Sequence, residues 1–277
     1  MSAFYLLLDA GNTRVKWLML AADQVSCALA PELPATPQGA RLHADCDQLA
    51  ADWRAALAAQ AWQGRDCRAI LGANVAGPAM RTLLEQQLQA ALTPMPALEW
   101  FAASPARAGL RNDYENPLQL GCDRFAAAIG AHALWPGKHL LVANCGTATT
   151  LDAVSADGVF TGGMIAPGLL LMARSLSQNT AQLPEIDPQR RLIDGFARNT
   201  QEAILAGCIT AQAGAIEKAV RQLEHRLAQA VHCILSGGAA PYLAPALGIP
   251  YHHLDNLVLR GLLRVLQTPP YSVEAPC

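Results

Sequence analysis

The chain has 277 residues, 52% of them hydrophobic and 15% charged, with a formal charge of −2 at pH 7. High apolar content at low net charge excludes a disordered chain, and the charge balance excludes a basic nucleic-acid binder and any broad attraction to anionic membranes. At roughly 150 residues per domain the length suits one large domain or two moderate ones, with enough chain to bury cores without disulfide or metal staples.

No apolar run approaches the roughly 18 residues needed to span a bilayer. The start, Met1-Ser2-Ala3-Phe4, lacks the basic segment of a signal peptide, and Asp9 interrupts the apolar stretch. The eight cysteines are dispersed, with no C-x-x-C pair and no Cys/His cluster at zinc spacing. A cytoplasmic protein with reduced cysteines is the expectation.

In chain order, Phe4–Leu8 reads as an apolar strand, Asp9-Ala10-Gly11-Asn12 as a turn, and Arg14–Leu20 as a second, antiparallel strand. Gln48–Ala61 predicts a helix with Leu49, Trp53, Leu57 and Ala61 on one face. Arg68–Asn74 reads as a strand, and Gly77-Pro78 opens a helix that aligns Leu84, Leu88 and Ala91. Pro94–Pro105 reads as a loop, and Phe125–Leu134 as a helix broken by Pro136-Gly137. His139–Ala143 and Ala148–Val154 are strands, and Asp157-Gly158 turns the chain into Val159–Ile165. Ala181–Arg191 reads as a loop. Thr200–Ala230 predicts a long helix with Ile204, Cys208, Ala211, Ala215 and Val220 on one face. Val231–Leu235 is a strand ending in Ser236-Gly237-Gly238, and the tail after Gln267 reads as frayed. The strand–polar turn–strand order occurs near Asp9 and again near Asn144, so an α/β chain of two similarly organised lobes is expected.

Three strand ends could carry chemistry. Asp9-Ala10-Gly11-Asn12-Thr13, followed by Lys16, suits either a phosphate-binding turn, with Asp9 on a hydrated Mg²⁺, or an ordinary hairpin. Asn144-Cys145-Gly146-Thr147-Ala148-Thr149-Thr150-Leu151-Asp152 suits a phosphate tail or a Thr-rich hairpin. Ser236-Gly237-Gly238 leaves room for a base or sugar, and a lone Gly-Gly turn is weak evidence. No G-x-x-x-x-G-K-[ST], G-x-G-x-x-G or G-x-S-x-G motif is present, which sets aside P-loop, dinucleotide-binding and serine-hydrolase readings. His252-His253 reads as a surface pair, and Trp53, Trp62, Trp100 and Trp135 as packing residues. In Tyr114–Arg124, Asp123 at a helix start can accept a proton and Arg124 can fork onto a carboxylate or phosphate; the alternative is an N-terminal Asp beside a solvated Arg.

Taken in order, D-x-G-N-T at 9–13, Y-x-N-P-x-x-x-G-x-D-R at 114–124 and G-T-A-T-T-x-D at 146–152 are followed by Gly162–Gly168, Asn199-Thr200, Ser236-Gly237-Gly238 and Asn256–Leu262. This set resembles the type III pantothenate kinases, a bacterial family that includes the Bordetella accessory factor proteins, from Asp9 to about Leu262. The resemblance implies two ribonuclease-H-like lobes of the acetate and sugar kinase, heat-shock chaperone and actin superfamily. The lobes are placed at 1–118, with the first phosphate segment, and 119–277, with the second phosphate segment and a dimer interface; C-terminal residues are allowed to pack back on the first lobe. It also implies ATP-dependent phosphorylation of pantothenate at its terminal hydroxyl, the first committed step of coenzyme A synthesis, by a homodimer that uses Mg²⁺ and usually K⁺ or NH₄⁺.

Carried onto this sequence, Asp9, Ala10, Gly11, Asn12, Thr13, Arg14, Val15 and Lys16 match the first phosphate segment, with Asp9 orienting Mg²⁺, and Gly146 and Thr147 match the second. Asp123 matches the proton acceptor. Tyr114, Gly121, Cys122, Asp123, Arg124 and Thr200 match the pantothenate contacts, with Thr200 reaching the partner subunit's pocket. Many members carry an aspartate where this chain has Asn144, so the monovalent-cation site is weakened, altered or lost. The alternatives are a sugar or acetate kinase, where the 114–124 motif has no role, and a nucleotide-binding regulator, against which Asp9, Asp123 and Arg124 argue.

Overall fold

In the computed structural model, which describes residues 3–25, 35–178 and 196–268, the first apolar run forms β1 (Phe4–Ala10). It pairs antiparallel with β2 (Arg14–Ala21), Asp9 facing Lys16 and Ala10 facing Val15. β3 (Gln38–Leu42) adds antiparallel to β2 as a half-exposed edge. A short 3₁₀ segment then leads into α1 (Leu49–Ala59). Leu49, Trp53 and Leu57 are buried as expected, but the helix stops before Ala61, which is exposed at a left-handed φ of 53°.

β4 (Cys67–Asn74) lies parallel to β1 on its other side, α2 (Pro78–Ala91) follows, and β5 (Leu98–Trp100) lies parallel to β4. The sheet order is β3-β2-β1-β4-β5. β5 falls inside a segment that the sequence reads as loop, because three residues among prolines carry no periodicity. β1 is buried on both faces, which explains its unbroken apolar run. Leu6, Leu8, Trp17 and Met19 join Trp53, Leu57, Leu84 and Leu88 in one core.

β6 (Ala106–Arg107) and β7 (Leu110–Asn112) form a small hairpin whose two turn residues, Ala108 and Gly109, both have positive φ. α3 (Cys122–Leu134) completes this part of the first unit, which spans Met1–Pro136 with Leu257–Cys277.

The second unit, Gly137–Asn256, repeats the plan. β8 (His139–Cys145) and β9 (Ala148–Val154) are antiparallel, and β10 (Val159–Pro167) adds antiparallel to β9. α4 (Leu169–Gln178) and α5 (Thr200–Leu227) follow; Ala181–Arg191 lies outside the described residues. β11 (Val231–Ser236) is parallel to β8, α6 (Ala240–Leu243) follows, and β12 (Tyr251–His253) is parallel to β11. The order β10-β9-β8-β11-β12 matches β3-β2-β1-β4-β5 strand for strand, including every parallel and antiparallel sense. His252 and His253 lie on the exposed end strand.

In α5 the buried stripe is Leu205, Cys208, Ile209, Gln212, Ala213, Ile216, Ala219 and Val220, rotated from the expected one. Ala211 and Ala215 are exposed, since an alanine-rich helix offers two plausible faces. Among the described residues only α5 has the length and composition to cross a bilayer, yet that stripe packs into the core of its own unit.

α7 (Leu257–Leu266) returns to the first unit and packs on α3. Two glycines make that crossing possible: a Cβ on Gly130 would stand 2.7 Å from the Leu257 carbonyl oxygen, and one on Gly261 would collide with the Ala126 carbonyl. From Pro269 on, the tail lies outside the described residues.

Candidate active site

Asp9 sits at the end of β1, where the sheet stops and Gly11-Asn12-Thr13 turns the chain into β2. The Gly11 N–H donates to the Arg14 carbonyl at 3.2 Å. A Cβ on Gly11 would meet only that oxygen, at an ordinary 3.5 Å, so packing does not demand a glycine here. Its bareness instead leaves the turn's backbone open to close approach. Asn12, Thr13 and Arg14 are exposed, whereas Ala10 and Val15 bury their side chains and offer only backbone. Burial pushes the Asp9 carboxyl up to about 6; Lys16 opposes this and the negative charge of Asp123 adds to it.

Asp123 reaches this neighbourhood from the first turn of α3. The loop before it is organised by Asn112, 6% exposed, whose amide donates to Ser104 and Pro117 carbonyls and accepts from the Tyr114 N–H. Asn116 Oδ1 then accepts from the Leu118 N–H and starts a 3₁₀ turn that delivers Gly121. Asp123 Oδ1 accepts from the Arg124 N–H at 2.8 Å. Burial raises the Asp123 pKa, while the Arg124 N–H and the Arg124 charge pull it down.

Arg124 is 7% exposed, which removes the solvated-Arg alternative. Its Nη1 donates to Tyr114 Oη at 3.0 Å, and its guanidinium carbon lies 5.7 Å from the Tyr114 ring centre. The Cys122 thiol donates to the Asn74 carbonyl at 3.6 Å, and burial, helped by Asp123, pushes it up to about 11, so it is no nucleophile at neutral pH.

Asp9, Tyr114, Gly121, Cys122, Asp123 and Arg124 thus belong to one unit, with Asp9 and Asp123 close enough to feel each other's charge. Two residues the sequence did not single out join them. Asn74 ends β4 in a turn in which its side chain accepts from Ala76 N–H and donates to the Gly77 carbonyl, and its own carbonyl takes the Cys122 thiol. Asn before Val-Ala-Gly-Pro was the available signal. His43 lies against the Gly11 carbonyl, 32 positions away in sequence, and no local pattern marks it.

Asn144, Gly146, Thr147 and Thr200 lie in the second unit. Asn144 is near the end of β8, flanked by Thr150 on β9 and Ser236 on β11. The Gly146 N–H donates to the Ala148 carbonyl at 2.9 Å, much as Gly11 does in the first unit. Two glycines close in on this turn. Gly168 donates its N–H to the Thr147 carbonyl, and a Cβ there would lie 2.5 Å from that oxygen. Gly237, at φ +95°, would place a Cβ 2.7 Å from the Cys145 carbonyl carbon. Buried Gln212 accepts from Thr149 Oγ1 and donates to the Pro167 carbonyl, both at 2.7 Å, tying the turn to the end of β10. Thr200 is exposed at the start of α5, where Asn199 Oδ1 caps the Glu202 N–H.

Among the described residues no three His, Cys, Asp or Glu side chains cluster as a metal cage. Mg²⁺ needs none: it keeps several waters and takes one or two carboxylates besides phosphate oxygens. The buried Asp9 carboxylate, its proton affinity raised further by Asp123, fits such an ion.

Two units that share a five-strand order, β3-β2-β1-β4-β5 and β10-β9-β8-β11-β12, each with a bare glycine turn after its first strand, define a duplicated α/β fold. Solved structures agree on the fold. A conserved Baf family protein from Campylobacter jejuni superposes with a TM-score of 0.53 at 20% identity, over 95% of this chain and 97% of that one. An activator of 2-hydroxyisocaproyl-CoA dehydratase from Clostridium difficile, with bound ADPNP, gives 0.50 at 13% identity over 95% and 92%.

Sequence comparison narrows the class to a family. The model for type III pantothenate kinase matches residues 5–222. The type III pantothenate kinases of Herminiimonas arsenicoxydans and Janthinobacterium sp. (strain Marseille) are each 50% identical, over 93% of this chain and 95% of theirs. The chain belongs to the type III pantothenate kinase family, whose activity is ATP-dependent phosphorylation of pantothenate in coenzyme A biosynthesis.

Proposed function

We propose that Asp123 is the base that takes the proton from the pantothenate hydroxyl as that oxygen attacks the γ-phosphorus of ATP. The observation that carries this is the setting of its carboxylate: raised in proton affinity by burial, held by the Arg124 N–H, and within electrostatic reach of Asp9. A carboxylate whose proton affinity is raised by burial suits a proton acceptor. Gly11 to Lys16 hold phosphates through backbone N–H groups and the Lys16 ammonium, and Gly146 and Thr147 form the second phosphate segment. Asp9 would hold Mg²⁺, which when bound neutralises phosphate charge. Arg124, braced by Tyr114, orients the pantothenate carboxylate, and Gly121 and Cys122 line that subsite. Positioning and charge neutralisation supply most of the rate in phosphoryl transfer, so the two turns matter as much as the base.

The chain acts as a homodimer in which Thr200 reaches the partner's pocket. The exposed apolar side chains of Met164, Ile165, Leu170 and Leu171 on β10 and α4 support burial against a second copy. A cytoplasmic enzyme without nucleic-acid or membrane partners fits the charge balance, and Asn144 marks the position of a monovalent-cation site. ADP release measured with pantothenate against a panel of sugars, for the unmodified chain and Asp123→Asn, tests the assignment. Pantothenate-dependent turnover that survives in a folded Asp123→Asn variant removes Asp123 from the role.

A further inference from the structure

The turn Gly11-Asn12-Thr13 is held by His43 at two of its carbonyls. His43, the first residue after β3, presents its ring to the Gly11 carbonyl, with Nε2 2.8 Å from the oxygen. Its backbone N–H donates to the Thr13 carbonyl at 3.2 Å. A carbonyl can only accept, so the ring must donate from Nε2, which fixes its hydrogen on that nitrogen.

The consequence follows from peptide geometry. In a planar trans peptide the C=O of one residue and the N–H of the next point in opposite directions. Holding the Gly11 carbonyl toward His43 therefore holds the Asn12 N–H away from it, and holding the Thr13 carbonyl does the same for Arg14. Anion-binding turns work by converging N–H groups with their carbonyls averted. A glycine at position 11, with no side chain to restrict it, would otherwise let the first peptide plane rotate.

We propose that His43 is a positioning residue for the first phosphate segment, presetting the Asn12 N–H for the phosphates of ATP by anchoring the Gly11 carbonyl. This rests on Gly11 to Lys16 being that segment. The effect belongs to ATP and not to pantothenate, because the carbonyl that the His43 ring holds is part of the turn assigned to phosphate.

His43→Gln and His43→Asn separate the alternatives. A glutamine amide nitrogen reaches about as far as Nε2 and can still donate, whereas asparagine falls short; both keep the backbone N–H. We expect His43→Asn to raise the ATP KM about tenfold, the worth of one net hydrogen bond. Its pantothenate KM should stay within about twofold, and His43→Gln should recover most of the ATP affinity. Equal loss in the two variants, or parallel rises in both KM values, overturns the proposal in favour of a purely structural histidine. Lys16→Ala is measured alongside. If it raises the ATP KM and His43→Asn does not, His43 positions nothing; if neither does, the phosphate assignment itself falls.

Discussion

Gly121 leaves space for the carboxylate of Asp123: a Cβ in its place would stand 2.8 Å from Oδ1, the oxygen that accepts the Arg124 N–H. The atom in the way is the end of a side chain, so Gly121→Ala can be accommodated by turning the carboxylate out of its place. The fold should survive while the carboxylate proposed as the base is misaimed. Expected is a fall in kcat of tenfold to about 10²-fold, with Tm within a few degrees of the unmodified protein. Asp123→Asn should cost at least about 10²-fold, since an amide cannot take the proton. Full turnover in Gly121→Ala would mean that the carboxylate works from another rotamer.

Asp9 is held at a cost in stability. Its folded pKa of about 6 lies above the 3.8 of the free side chain, so the folded chain binds this proton more tightly. Without metal, folding is therefore favoured as pH falls from 6 toward 3.8, and above 6 the ionised group opposes it by up to the order of 3 kcal/mol. Asp9→Asn should raise Tm in EDTA at pH 8, with the gain vanishing by pH 4, while raising the Mg²⁺ and ATP needed for activity. A variant less stable at pH 8, measured by thermal denaturation, contradicts this account of Asp9.

The helix pair behind Asp123 leaves no tolerance of that kind. A Cβ on Gly261 meets backbone, the Ala126 carbonyl, and one on Gly130 meets Leu257 O and Gly261 N. Gly261→Ala must therefore separate α3 from α7, and should cost about 3 kcal/mol or more of stability in urea titration. An unchanged midpoint would mean that the helices part without loss.

Much of this was legible in sequence, for identifiable reasons. β1, β8 and β11 are unbroken apolar runs that end in small polar turns, so both strand and turn could be read. α7 is left unassigned by the sequence reading, although Arg260 and Arg264, one turn apart in the otherwise apolar run Leu257 to Leu266, carry a helical period. β3 alternates without strong hydrophobes, and β5, β6, β7 and β12 are too short to show a pattern. At the site, motif spacing named Asp9, Asp123 and Arg124. It could not reveal that Arg124 is buried on Tyr114, that His43 meets Gly11, or that Gln212 braces Thr149, because those contacts span 10, 32 and 63 positions.

Asn144 places an amide, and no carboxylate, near the end of β8, at the position proposed for a monovalent cation. A monovalent cation beside phosphates is held by oxygen ligands, and a carboxylate adds a full opposing charge where water is scarce. An amide offers one carbonyl oxygen, and its NH₂ repels the ion if turned toward it. The neighbours across the strands, Thr150 and Ser236, bring hydroxyls and no charge. The expected outcome is weak or absent activation by K⁺, with Asn144→Asp gaining K⁺ dependence or affinity. Turnover titrated with KCl and NH₄Cl against choline chloride at fixed ionic strength reads this directly. Strong, saturable activation of the unmodified chain by K⁺ would sink the prediction, and would mean that backbone and hydroxyl oxygens complete the site without a carboxylate at 144. No effect of K⁺ on either chain would instead favour the Asn144 NH₂ donating to a phosphate oxygen. Asn144→Ala should then raise the ATP KM about tenfold, as loss of one charge-assisted hydrogen bond requires.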